Sequence, residues 1–243
     1  MKKYKERFYR YQLAESDLLS FQVKVKQTDL WIRAEKVLTR EAKDLIITFR
    51  KHIEDFIRQQ PTFLKSLAPI PLPVLTAPAI VREMIVAGQK AGTGPMAAVA
   101  GAIAARVGKG LMEYSSEVIV ENGGDCFIMM KRSIEVGIFA GNSPLSNRIA
   151  IRLEPDCLPL GVCTSSGTVG HSLSFGKADA VTVISKNVAL ADAAATAIGN
   201  VVRSPKDINR ALELAQNIDG VLGIVVIVKE KLGAWGEVEL IRW

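Results

Sequence analysis

Two histidines and three cysteines are all that the 243-residue chain holds of the softer metal ligands and nucleophiles. Cys126, Cys157 and Cys163 form no CxxC pair, so neither a zinc ribbon nor a dithiol redox motif is encoded. An odd number of thiols cannot all pair, and they read as free cysteines of a reducing cytoplasm. Cys163 ends the apolar run Leu160-Gly-Val-Cys, with a nucleophilic role left as an alternative. Long apolar stretches are missing too. The longest, Pro95 to Val107, falls short of the ~20 residues that cross a bilayer, and Arg106 interrupts it. The opening MKKYKERFYR lacks the apolar region of a signal peptide. Aromatic residues make up 6%, with no ladder of aromatic and basic side chains of the kind single-stranded nucleic acid needs. GxxxxGK[ST], GxGxxG and GxSxG are all absent, which withholds the P-loop, the dinucleotide fingerprint and the hydrolase elbow. No internal repeat is evident. The expectation is a cytoplasmic protein with neither membrane nor nucleic acid as partner.

What is present suits one globular domain spanning 1–243: 49% apolar and 23% charged residues, enough to bury a substantial core. The net charge of +6 is local, because residues 1–65 carry 15 Lys and Arg against 9 Asp and Glu, and the remainder balances at 16 against 16. Much of the excess lies in the first ten residues and reads as a solvated arm.

Alternation about Gln27-Thr-Asp29 predicts a hairpin over 20–36. Thr39 is placed to cap a helix whose apolar residues Leu45, Ile46, Phe49, Ile53, Phe56 and Ile57 recur at helical spacing up to Pro61. Residues 68–78 are proline-dense and extended. Pro78 opens a helix to about Lys90. A second follows Pro95 and bears a stripe of small residues, Ala97, Gly101 and Ala105, where a neighbouring element or a ligand can approach the backbone. Strands are expected near 117–121, 126–131, 135–140, 148–153, 180–185, 223–229 and 237–241, and another leads into Cys163. Helices are expected over 190–202 and 206–217. Strands and helices without βαβ alternation predict an α+β fold.

Four stretches are richer in glycine, small residues and acids than packing requires. Gly92-Thr93-Gly94 precedes a helix, where free N–H groups and the dipole suit an anion. Asn122-Gly123-Gly124-Asp125 is either a tight hairpin turn or a close approach of backbone to ligand. The third, Cys163 to Asp179, reads CTSSGTVGHSLSFGKAD. Its Thr164, Ser165, Ser166, Gly167 and Thr168 suit donation to phosphate or sugar oxygens, with His171 as acid or base. A structural loop and a Ser/His nucleophile, with Asp179 or Asp192 orienting the imidazole, stay open as alternatives. In the fourth, LADAAATAIGN, Asp192 and Thr196 stand i, i+4 on one helix face. A buried carboxylate there needs a partner or a cation such as Mg²⁺, unless it simply caps its own helix.

In order and spacing these stretches resemble the ApbE family, the FAD:protein FMN transferases. The matching segments are Gly94 to Ala105, Glu121-Asn-Gly-Gly-Asp125, Thr164-Ser-Ser-Gly167 with His171, and Ala191-Asp-Ala-Ala-Ala-Thr196. The sequence is more closely similar still to an ApbE-related family of bacteria and archaea without an assigned activity. That family carries GPMAAVAG, ENGGD, TSSGTxGHSxSFGKADA and ADAAATAIGN. The resemblance implies an ApbE-like mixed sheet with packed helices, in one domain with an N-terminal hairpin and helix. It implies Mg²⁺ at Asp192 and Thr196, aided by a backbone carbonyl around Ala91–Gly94. The implied ligand carries phosphate, FAD or another nucleotide, and an acceptor protein joins it if transfer chemistry is kept. A homo-oligomer stays open. In place of the HIxDPxTG of ApbE, His171 is followed by Ser-Leu-Ser-Phe-Gly-Lys, and the Met-Gly-Thr segment of ApbE is not evident. Those departures leave a non-catalytic flavin or nucleotide binding module as the second reading.

Overall fold

The computed structural model describes residues 17–72, 77–168 and 175–243. The chain runs β1 (Leu19–Val25), β2 (Thr28–Ala34), α1 (Thr39–Gln59), α2 (Thr62–Lys65), α3 (Ala79–Ala91) and, after a 3₁₀ turn at Pro95–Ala98, α4 (Val99–Leu111). Then come β3 (Val118–Asn122), β4 (Asp125–Met129), β5 (Ile134–Gly137), β6 (Ile149–Leu153), β7 (Leu160–Ser165) and β8 (Ala180–Ser185). The last elements are α5 (Val188–Val201), α6 (Ile208–Gln216), β9 (Gly223–Val228), β10 (Lys231–Gly236) and β11 (Glu239–Arg242).

Eight strands form one sheet in the order β1-β2-β3-β4-β7-β8-β9-β10, antiparallel throughout, and β11-β6-β5 form a second. The α+β architecture expected from the sequence is the one observed. Side-chain alternation sorts each central strand between two cores. Ile224, Val226 and Val228 of β9 join the helix-side core, while Val225 and Ile227 face the small sheet. Both faces of the large sheet are therefore covered, and β9 is buried along its whole length.

α5 lies against β7 and β8 and is flanked by α3, α4 and α6. Close packing is set by glycine: a Cβ on Gly101 of α4 would stand 2.6 Å from the Val188 carbonyl oxygen, and one on Gly161 of β7 would stand 2.7 Å from Val188 Cα. The small-residue stripe of α4 is thus a helix-packing surface. Likewise Gly108 meets the Phe127 ring and Gly110 meets Leu45.

Three local expectations shift. The first hairpin turns at Lys26-Gln27, with Val25 opposite Thr28, so Thr28 and Asp29 open β2; Lys26 takes the left-handed conformation there (φ 53°). Thr39 is the first residue of α1 and makes no capping bond; Leu38 holds the cap position. β10 follows β9 through Lys229-Glu230 and was not anticipated, because its residues, KLGAWG, show no clean alternation. The proline-dense connection is described to Leu72 and again from Ala77.

Candidate functional site

Asp192 lies in the second turn of α5 and is 9% exposed. It does not cap its own helix: Asn187 does, its side chain accepting the Leu190 N–H at 3.1 Å. Asp192 caps α4 instead. Its Oδ2 accepts the Gly101 N–H at 2.8 Å, and the Ala100 N–H also favours its anion. Burial is the larger influence and pushes the carboxyl from its ordinary value near 3.8 up to about 7, against those two donors. A carboxylate at a helix N-terminus meets favourable dipole, yet this one is held with a proton available near neutrality. Thr196, one turn on, is half-buried on the same face of α5.

The opposite side of α4's first turn is held by Asn122, whose Nδ2 donates to the Ala100 carbonyl at 3.0 Å. Asn122 pairs with Asp125 across a two-residue turn in which Gly123 and Gly124 both take positive φ, 75° and 110°. Only glycine accepts that pair of conformations readily, so the hairpin reading of the diglycine holds. Glu121 Oε1 accepts the Gly124 N–H at 2.8 Å, and the Gly124 carbonyl accepts the Thr164 N–H at 3.1 Å. The turn is thereby tied to the end of β7.

Along β7, Gly161, Cys163 and Ser165 share the face that α5 covers. Cys163 is buried and opposite Asp125, and its S–H donates to the Val188 carbonyl at 3.5 Å. Burial above all, then the nearby Asp125 and Asp192 carboxylates, hold its thiol well above the ordinary value. A thiol so held is no nucleophile, and that alternative is set aside. Ser165 is 8% exposed, and its hydroxyl has no hydrogen-bond partner among the described residues. Thr164 Oγ1 lies 2.9 Å from Thr182 Oγ1 on the opposite face.

The loop beyond β7 folds on itself. Thr168 N–H donates to Ser166 Oγ at 3.1 Å, and Thr168 Oγ1 donates to Asp179 Oδ1 at 3.3 Å. Asp179 Oδ2 also accepts the Lys229 N–H at 2.6 Å. Asp179 is therefore engaged in fastening the loop to the β9–β10 hairpin. His171 lies outside the described residues.

At the glycine turn, Gly92 ends α3 in the left-handed conformation (φ 73°). The Thr93 N–H bonds the Gly88 carbonyl at 2.8 Å, and Gly94 N–H bonds the Leu67 carbonyl at 2.9 Å. A Cβ on Gly94 would stand 1.8 Å from the Ser66 carbonyl oxygen. Thr93 is buried, and its hydroxyl has no partner among the described residues. The 3₁₀ turn that follows packs on α5.

Structure thus gathers Asp192, Asn122, Asp125, Cys163 and the first turn of α4 around one helix junction, with Ser165 beside it. Gly167 and Thr168 are exposed at the rim. Sequence reading passed over Asn187 and Asn200. The first stood in plain view as a polar residue just ahead of the helix; the second, whose Oδ1 accepts the Phe175 N–H at 2.8 Å, gave no local signal. Among the described residues no group of three or more His, Cys, Asp or Glu side chains has metal-holding geometry. A cation here would rely on Asp192, a hydroxyl, backbone oxygens and the ligand's own phosphates, which is how Mg²⁺ is commonly held.

This arrangement of sheet, small sheet and helices is the fold of the ApbE flavin transferases. It superposes on the flavinyl transferase ApbE of Pseudomonas stutzeri with a TM-score of 0.54 at 16% identity, over 90% of this chain and 94% of that one. It matches the flavin transferase ApbE of Vibrio cholerae with a TM-score of 0.54 at 13% identity, over 91% and 97%. Residues 10–234 match the family model described as AbpE bacteria, and the chain belongs to that family. Among its relatives, a UPF0280 protein of Methanocaldococcus jannaschii is 43% identical over 225 residues, 90% of this chain and 91% of its own. Another, of Methanothrix thermoacetophila, is 44% identical over 202 residues, 83% and 84% of the two chains. No helix among the described residues is long and apolar enough to cross a membrane.

Proposed function

We propose that the protein binds a phosphate-bearing ligand, FAD or another nucleotide, together with Mg²⁺ and acts on its phosphoanhydride in the manner of the flavin transferases it is similar to. The observation that carries this reading is Asp192: an ionisable carboxylate kept in a buried helix junction, one turn from a hydroxyl on the same face. Burying it has a cost that a cation would offset. Asp192 and Thr196 would hold the ion, with a backbone carbonyl around Ala91–Gly94. Mg²⁺ held there would supply charge neutralisation at the phosphate oxygens. The hydroxyls of Thr93 and Ser165, which have no partner among the described residues, would orient the phosphates together with Ser166. The N–H groups of Gly92, Thr93, Gly94, Gly124 and Gly167 are already engaged within the chain and would shape the turns around them. His171 would take the proton from an attacking hydroxyl as AMP leaves, its ordinary pKa lying near neutrality.

AMP release from FAD with Mg²⁺, measured with and without a threonine-bearing acceptor peptide, tests this. Acceptor-stimulated release is the expected result. Tight FAD binding with no AMP would establish the second reading, a binding module, which the replacement of Asp-Pro by Ser-Leu-Ser-Phe after His171 favours.

A further inference from the structure

We infer that Phe175, on a backbone locked to the last turn of α5 by Asn200, is the platform on which the planar aromatic ring of the ligand stacks. This rests on the phosphate-and-Mg²⁺ reading of Asp192 and Thr196 and extends it to the ligand's other end.

Phe63 and Phe127 are fully buried, whereas Phe175 is 50% exposed. Its backbone is nonetheless tightly held. The Phe175 N–H donates to Asn200 Oδ1 at 2.8 Å, and the Lys177 N–H donates to the Val202 carbonyl at 2.8 Å. Between them, a Cβ on Gly176 would stand 1.8 Å from the Gly199 carbonyl oxygen. Gly167 presses from the other side, its N–H on the Ala178 carbonyl at 2.9 Å and its own absent Cβ only 2.2 Å from the Gly176 oxygen. Two glycines and an asparagine side chain thus fix residues 175–177, yet the ring they carry is not inserted into the core. An aromatic face presented to solvent on a rigid support is a stacking surface.

Its place along α5 fits the same ligand. Asn200 follows Thr196 by one turn and Asp192 by two, about 6 and 12 Å along the helix axis. A ligand whose phosphates sat at Asp192 and Thr196 would have to extend its ring toward the Asn200 end of α5 to reach Phe175. Ser165, whose buried hydroxyl has no partner among the described residues, ends β7 opposite Val181 of β8. Two residues on, Gly167 bonds the Ala178 carbonyl, so the segment bearing Phe175 leads directly into the strand beside Ser165.

The test uses the full chain in Mg²⁺, with FAD binding followed by flavin fluorescence and inorganic pyrophosphate binding by calorimetry. Phe175→Ala should weaken FAD about tenfold while leaving pyrophosphate unchanged, and Phe175→Trp should restore FAD. Asn200→Asp keeps the acceptor oxygen and should bind FAD like the parent; Asn200→Leu should lose as much as Phe175→Ala. Parent-like FAD affinity in Phe175→Ala, with pyrophosphate still bound, would overturn the stacking role alone. Failure of the parent protein to bind pyrophosphate at all would remove the phosphate reading and this inference with it.

Discussion

The Gly101 amide of α4 donates a 2.8 Å hydrogen bond to Oδ2 of Asp192 on α5, so a carboxylate from one buried helix caps another. The contact is possible only because residue 101 has no side chain. A Cβ there would stand 2.6 Å from the Val188 carbonyl oxygen and 2.9 Å from Asp192 Cβ. Gly101→Ala must push the two helices apart, and is expected to lower unfolding free energy by about 1–3 kcal/mol in urea titrations. Gly92→Ala meets nothing within 4 Å and is strained only by its φ of 73°, so it should cost about 1–2 kcal/mol and leave the helix junction intact.

Asp192 also sets a pH dependence. Burial raises its folded-state pKa from 3.8 to about 7. Below pH 4 the group is protonated in both states and contributes no penalty. From pH 4 to 7 the unfolded chain ionises while the folded one keeps its proton, so stability falls as pH rises. Above pH 7 the penalty is constant. Asp192→Asn removes it and keeps an acceptor for Gly101. Without Mg²⁺, the variant should gain on the parent by on the order of 2–4 kcal/mol between pH 4 and pH 8, read by urea denaturation. A gap that does not change with pH would contradict the buried-acid assignment.

A Ser/His hydrolase is the other chemistry the hydroxyl-rich loop suggests. Ser165 is buried, and Asp179 is held by the Lys229 N–H and the Thr168 hydroxyl instead of standing free to orient an imidazole. A fluorophosphonate probe should therefore leave Ser165 and Ser166 unlabelled under conditions that label a serine hydrolase completely, with intact-mass spectrometry as the readout. Stoichiometric labelling abolished by His171→Ala would revive the hydrolase.

The diglycine turn gives a further check. Gly124 has φ 110°, where an L side chain is strained, and its Cβ would lie 3.4 Å from the Thr164 carbonyl oxygen. Gly124→Val should cost about 1–3 kcal/mol and weaken nucleotide binding, because the turn fastens both Asn122 and the start of the hydroxyl loop. Differential scanning fluorimetry with and without FAD would read both effects.

Much of this architecture is legible in the residues themselves. Helical spacing marks α1, Gly-Gly between two expected strands marks the β3–β4 hairpin, and the i, i+4 pair Asp192 and Thr196 marks the polar positions of α5. The strand β10 escaped because glycines at 233 and 236 break its alternation. The partner of Asp192 escaped for a different reason. Its position early in α5 suggested a cap for that same helix, and nothing local says that Gly101, far away in sequence, supplies the donor. Asn200 was hidden likewise: nothing local says that its side-chain oxygen accepts the N–H of Phe175. Such long-range contacts are set by tertiary packing, which periodicity does not encode.

The most direct trial of the account is calorimetric titration of FAD into the full chain, with and without Mg²⁺, in the parent and in Asp192→Asn. The variant retains an oxygen for the Gly101 N–H and should fold, so its binding reports on charge alone. The account predicts that Mg²⁺ strengthens FAD binding to the parent at least tenfold and leaves the variant's affinity unchanged. Equal Mg²⁺ enhancement in both proteins would contradict it.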